Sequence, residues 1–164
     1  MDESKYSEAW SEIGMSVLNE FANDKFKSIV ELGIEIAWVE SEDSPVRNDV
    51  PVLAECIAVK KDHQRQFIPH DYLIKIYAPN VTYMTDMQKR ILMEHELMHI
   101  KASENTDGEL KIGTKPHDVN DFKDIIEKYG MDWALDVHQQ MTLDEFIDEE
   151  DAKEDDAPDN GDKE

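Results

Sequence analysis

The chain has 164 residues, 40% hydrophobic and 34% charged, a balance that suits one compact soluble domain and leaves no apolar run long enough to cross a membrane. Its net charge of −22 works against a surface that tracks phosphates, so nucleic acid and other anionic partners are disfavoured. The only cysteine, Cys56, excludes an internal disulfide and any cysteine-paired zinc site, and is expected as a small core residue. With no basic patch ahead of an apolar stretch at the amino terminus, the expected location is the cytoplasm.

In chain order, Tyr6, Trp10, Ile13, Val17 and Phe21 recur at steps of three and four and predict an N-terminal amphipathic helix, interrupted near Asn23 and Asp24. Residues 34–40 and 52–60 alternate with a period near two and read as strands. Residues 72–77 form a third, closed by Pro79 and Asn80, and three strands in succession point to an antiparallel or mixed sheet. Thr85 followed three residues later by Gln88 is a capping-box pattern, so a helix should start there and run through Ile100 or slightly beyond. After a polar connection with Asp107, Gly108 and Gly113, a second helix is expected, with Val119, Phe122, Ile125, Ile126 and Tyr129 on one side and Gly130 as its stop. Trp133, Leu135 and Val137 should extend the core. Residues 144–164 hold twelve acidic and two basic residues, so a disordered acidic tail is expected to follow a domain spanning 1–143.

The chemistry lies in the helix that begins at Thr85. His95, Glu96 and His99 form an HExxH pattern, in which histidines four apart project from one helical face to share a zinc ion. A turn of 100° per residue places His99 about 40° from His95 and Glu96 about 60° from His99, so all three share one side. Glu94 falls on the flank with Arg90 and Lys101, where a solvated face is the simplest reading, which leaves Glu96 as the candidate base. Leu92, Met93, Leu97, Met98 and Ile100 make the helix apolar around most of its girth, so the histidines should sit in a partly dry setting.

A catalytic zinc usually takes three protein ligands and leaves the fourth position to water. The metzincin extension is excluded, because Ala102 and Asn105 stand where it needs Gly and His. His117, at the expected start of the second helix, is the favoured third ligand. Glu104, Asp107, Glu109 and Asp121 are its rivals, since a two-histidine, one-carboxylate site is also a standard arrangement. Asp118 reads more simply as an acidic residue at a helix start than as a carboxylate orienting a ligand. His63, His70 and His138 have no ligand spacing and are left out. Tyr72, Tyr77, Tyr83, Tyr129 and His138 are open candidates for an oxyanion donor.

With these residues and the later His-Asp-Val-Asn-Asp-Phe at 117–122, the chain resembles the phage metallopeptidase family, a relative of SprT-like zinc proteases, over roughly residues 34–133. The resemblance implies a minimal zincin-like α+β domain: N-terminal helix, sheet of about three strands, HExxH helix and C-terminal ligand helix. It further implies a peptidase site with one zinc ion, encoded by a phage or prophage and acting inside a bacterial host. In that site His95, His99 and His117 would hold the metal and Glu96 would take the proton of the attacking water. The expected partner is a peptide or protein substrate, with no nucleic acid and no membrane; a DNA-dependent role is disfavoured because the chain has neither cysteine pairs nor a basic face. The competing expectation is a non-catalytic, zinc-containing acidic protein that binds a basic host protein, with the acidic tail as a further contact.

Overall fold

The computed structural model describes residues 4–60, 62–117 and 121–135, with the backbone alone for residues 62 and 63. The chain divides after Trp133 into two compact units, and of the second only Ala134 and Leu135 are described. The expected boundary at 143/144, the acidic tail, and residues Asp118, Val119, Val137 and His138 lie outside the described residues.

The fold is α+β. β1 (Lys5–Tyr6) leads into α1 (Glu8–Glu20), whose start is fixed by Ser7: its hydroxyl accepts from the Trp10 amide at 3.3 Å. Trp10, Val17 and Leu18 are buried as the periodicity requires, whereas Tyr6 precedes the helix and is exposed. The helix ends at Glu20, a short turn ahead of the predicted interruption, and α2 (Lys27–Glu31) follows. Then come β2 (Ile36–Ser41), a hairpin of β3 (Val46–Arg47) and β4 (Val50–Pro51), β5 (Ala54–Ala58), α3 (Asp62–Arg65) and β6 (Tyr72–Tyr77). After a short 3₁₀ turn at Ala78–Asn80 lie α4 (Asp86–Met98), β7 (Ile100–Glu104), β8 (Leu110–Thr114) and α5 (Lys123–Tyr129).

The main sheet is mixed and four-stranded, in the order β1-β2-β6-β5. β2 and β6 run parallel, Ile36 opposite Tyr72, while β5 returns antiparallel to β6 as the edge strand. Tyr72, Ile74 and Ile76 of β6 share one face of the sheet and are fully buried, while Leu73 and Lys75 on the other face are half-buried. α1 can lie close to the sheet because Gly14 faces Trp38: a Cβ there would stand 2.4 Å from the indole Nε1. α4 buries Ile91, Leu92, Met93 and Leu97, each contributing about 1.5 to 3 kcal/mol.

Two small hairpins complete the fold. The β3–β4 turn places Asn48 and Asp49 at positive φ, the conformation of a tight hairpin turn, and the Asn80 side chain pins its base by donating to the carbonyls of Pro45 (3.1 Å) and Val52 (2.8 Å). The segment expected as a plain polar connection is instead the β7–β8 hairpin. At its tip the Asn105 side-chain oxygen accepts from the amides of Asp107 (3.0 Å) and Glu109 (2.8 Å), and Gly108 takes a positive φ. Tyr72 anchors the hairpin to β6, since its hydroxyl accepts from the Gly113 amide at 3.1 Å and lies 2.7 Å from the Gly113 carbonyl.

Candidate metal centre

The predicted capping box is present: Thr85 accepts from the Gln88 amide (3.2 Å) while the Gln88 side chain accepts from the Thr85 amide (2.9 Å). The helix it starts is shorter than expected. It ends at Met98 with His99 as its cap, and Ile100 already belongs to a strand. That early stop matters, because the β7–β8 hairpin then folds the chain back on His99. The Lys115 amide donates to the His99 carbonyl (2.8 Å), and the His99 Nδ1–H donates to the Lys115 carbonyl (2.7 Å). This reciprocal lock brings His117, two residues on, against the HExxH face. His117 is therefore held by a hairpin exit and not by the expected helix, which begins only at Lys123.

The three imidazoles converge. His117 Nε2 lies 2.9 Å from both His95 Nε2 and His99 Nε2. Phe122, 1% exposed, sits under all three rings with centroids 4.8 to 5.3 Å away. Because the His99 Nδ1 proton goes to a carbonyl, its Nε2 keeps a lone pair. His95 Nδ1 faces Asp121 Oδ1 at 2.6 Å, a contact off the hydrogen-bonding line that still favours the proton on Nδ1 and a lone pair on Nε2. An N–H on His117 Nε2 would satisfy only one of the two lone pairs aimed at it, whereas one cation would satisfy all three nitrogens, so the donor set fits a metal ion held by His95, His99 and His117. Burial, opposed by the Lys115 carbonyl, lowers the His99 pKa to about 4 and so keeps it a neutral donor at physiological pH.

Asp121, a rival ligand in the sequence, acts one step out. Its Oδ2 accepts from Trp133 Nε1 (2.8 Å) and its Oδ1 from the Phe122 amide (2.6 Å). Burial alone would raise its pKa, but the His95 imidazole and these two donors outweigh it and hold the carboxyl below its ordinary value. Among the described residues Glu104, Asp107 and Glu109 do not join the histidine cluster.

Glu96 is 4% exposed, its Oε1 lies 4.0 Å from His95 Nε2, and its Oε2 is buried without a hydrogen-bond partner. Desolvation, assisted by Glu55 and Asp121 and opposed by His95, raises its pKa to about 7. Glu94 overturns its expected place on a solvated face. It is 2% exposed and accepts from Lys25, from Lys128 (3.1 Å) and from the Tyr129 hydroxyl (2.5 Å).

The centre opens on a cleft of about 530 Å³, walled by Ala54–Ile57 on one side and Thr114–His117 on the other. Cys56 is half-buried there instead of lying in the core, and burial pushes its thiol pKa up, so it is no nucleophile. Arg47 and Lys115 also line the cleft; no sequence signal marked them. Three of the tyrosine candidates are engaged by protein groups: Tyr72 by the hairpin, Tyr77 by Glu55 of the cleft wall (2.9 Å) and Tyr129 by Glu94.

Residues 5–144 match the family described as putative phage metallopeptidase. The chain belongs to that family. The match covers both hairpins, the whole cleft and the three histidines whose geometry suits a metal ion. No curated protein and no solved structure matched the chain. No helix among the described residues is long and apolar enough to cross a membrane.

Proposed function

We propose that this chain is a zinc-dependent peptidase in which His95, His99 and His117 hold one ion and Glu96 is the general base. One observation carries the reading: three imidazole Nε2 atoms converge beside a buried carboxylate at the wall of an open cleft. All-nitrogen donors suit zinc, and their 2.9 Å spacings approach the edge of about 3.4 Å that two ligands of a tetrahedral zinc span. When bound, zinc lowers the pKa of water toward neutrality and polarises a carbonyl.

The chain's own groups do the rest. Glu96 takes the proton of the attacking water and passes it to the leaving amine, and a desolvated carboxyl near neutrality is matched to moving a proton both ways. His95 is oriented by Asp121 and His99 by the Lys115 carbonyl, so neither donor must reorganise. β5 positions the substrate. Its ladder to β6 uses the Leu53 carbonyl and the Val59 amide, which turns the backbone groups of Ala54, Cys56 and Ala58 toward the outer edge, ready to pair with an extended peptide.

The competing reading, a non-catalytic zinc protein, wants a closed site with a fourth protein ligand, and among the described residues the cluster is three histidines on an open cleft. Kinship with SprT-like proteases, action in a bacterial host cytoplasm and a solubilising or partner-binding role for the tail at 144–164 belong to the same proposal. The test is zinc content and peptide hydrolysis side by side. Glu96→Gln should keep one zinc and lose hydrolysis, and His99→Ala should lose the metal; full activity in Glu96→Gln would remove Glu96 from its role.

A further inference from the structure

The seam between β5 and β8 does not end at the metal. Beyond Ile57 the chain continues through Val59 and Lys60, and beyond Thr114, counting backward, β8 continues through Gly113 to Ile112, Lys111 and Leu110. Between them lies a groove of about 470 Å³ lined by Val59, Lys60, Arg65, Leu110, Lys111 and Ile112. Lys60 crosses the seam: a Cβ on Gly113 would stand 3.6 Å from its Nζ. The groove is therefore the lengthwise continuation of the cleft, with Gly113 at the junction.

Its chemistry is unlike the rest of the molecule. In a chain of net charge −22, no carboxylate is among the described residues lining this groove. Arg65 is engaged, giving Nη2 to Asp71 (2.7 Å) and Nη1 to the His70 carbonyl (2.7 Å). Lys60 and Lys111 are exposed, and among the described residues neither forms an ion pair. Leu110, 41% exposed, and buried Val59 give the groove an apolar side. Asp71 neutralises Arg65, and Glu104 and Glu109 stand beside Leu110 at the far end of the groove. Lys60 and Lys111 are therefore the charges left to meet a carboxylate lying in it, and acids more than about 8 Å away are screened.

We propose that this groove is a specificity subsite that selects acidic side chains, next to an apolar one, on the peptide substrate. The inference rests on the peptidase reading for its register. The cleft-lining stretch Ala54–Ile57 lies opposite the imidazoles, and Lys60 follows Cys56 by four residues, about 13 Å of extended strand. The selected side chains thus lie three to four residues from the scissile bond, on the amino-terminal side for a peptide added antiparallel to β5.

Zinc-loaded full chain carrying Glu96→Gln is titrated with fluorescein-labelled decapeptides sharing one apolar centre. One carries Glu and Asp three and four residues before that centre, a second carries them after it, and a third has Lys at those places. Fluorescence anisotropy should show one acidic peptide binding tighter than the Lys peptide. The Lys60→Glu, Lys111→Glu pair should weaken that peptide by about tenfold or more, with Lys60→Gln, Lys111→Gln moving the same way. Lys27→Glu, on α2, should change nothing, and unchanged zinc content reports that each variant is folded. Equal binding of all peptides, absent binding included, or no loss in the lysine pairs relative to Lys27→Glu, overturns the subsite. The parent chain separates the two claims: charge selectivity without hydrolysis keeps the groove and ends the peptidase reading, whereas hydrolysis without selectivity does the reverse.

Discussion

Asp121→Asn should weaken zinc binding without unfolding the chain. Both carboxylate oxygens accept in the native site: Oδ1 faces His95 Nδ1 and receives the Phe122 amide, and Oδ2 receives Trp133 Nε1. An amide accepts at only one end, so in either orientation it turns an NH₂ toward a donor, and the negative charge beside His95 is gone. Carboxylates that orient a ligand histidine typically hold 10- to 100-fold in metal affinity, or about 1.4 to 2.8 kcal/mol. The assay is zinc titration against a chromophoric chelator at pH 7.5. Asp124→Asn is the control, since its carboxylate meets Lys25 at 2.6 Å, outside the histidine cluster. Asp121→Asn binding zinc within about twofold of the parent, with the fold retained, would refute the positioning role.

Without metal, two groups at the centre tilt stability in opposite directions. Glu96, raised from 4.5 to about 7, contributes stability that is complete below pH 4.5 and lost as pH rises through 7, roughly 3 kcal/mol at most. His99, lowered from 6.5 to about 4, contributes stability present above pH 6.5 and lost as pH falls through 4, discounted because the ring is partly exposed. Urea unfolding in the presence of chelator should therefore show Glu96→Gln gaining stability over the parent at pH 8 and losing that advantage at pH 4; a constant difference would contradict the assignment. Glu94→Ala should destabilise by about 2 to 3 kcal/mol, because it takes the carboxylate from Lys128, leaves Lys25 with Asp124 alone and removes the acceptor of Tyr129. Thermal melts read this directly, and a change under about 0.5 kcal/mol would mean the network is idle.

Local signals were legible. Thr85 and Gln88 make the capping box their spacing announces, and residues 72–77 form a strand with the predicted bounds. His95, Glu96 and His99 needed only helical geometry, and His117 followed from the need for a third ligand. What could not be read depends on residues far apart in the chain. Angular arithmetic placed Glu94 correctly on its helix, but Lys25 and Lys128 reach it from 69 and 34 positions away and bury that flank. The β7–β8 hairpin was missed because both strands are largely exposed and their alternation, Ile100 with Ala102 and Leu110 with Ile112, spans only two apolar residues each. The role of Asp121 depends on a fold-back that sets it beside His95, and β1 is defined only by Lys5 and Tyr6 pairing with Glu40 and Val39.

X-ray absorption spectroscopy of the zinc-loaded full chain tests the metal assignment most directly. The account predicts three imidazole nitrogens at about 2.0 to 2.1 Å and one solvent oxygen, with one imidazole lost in His117→Ala. A fourth protein ligand, or an imidazole count unchanged by His117→Ala, would contradict it.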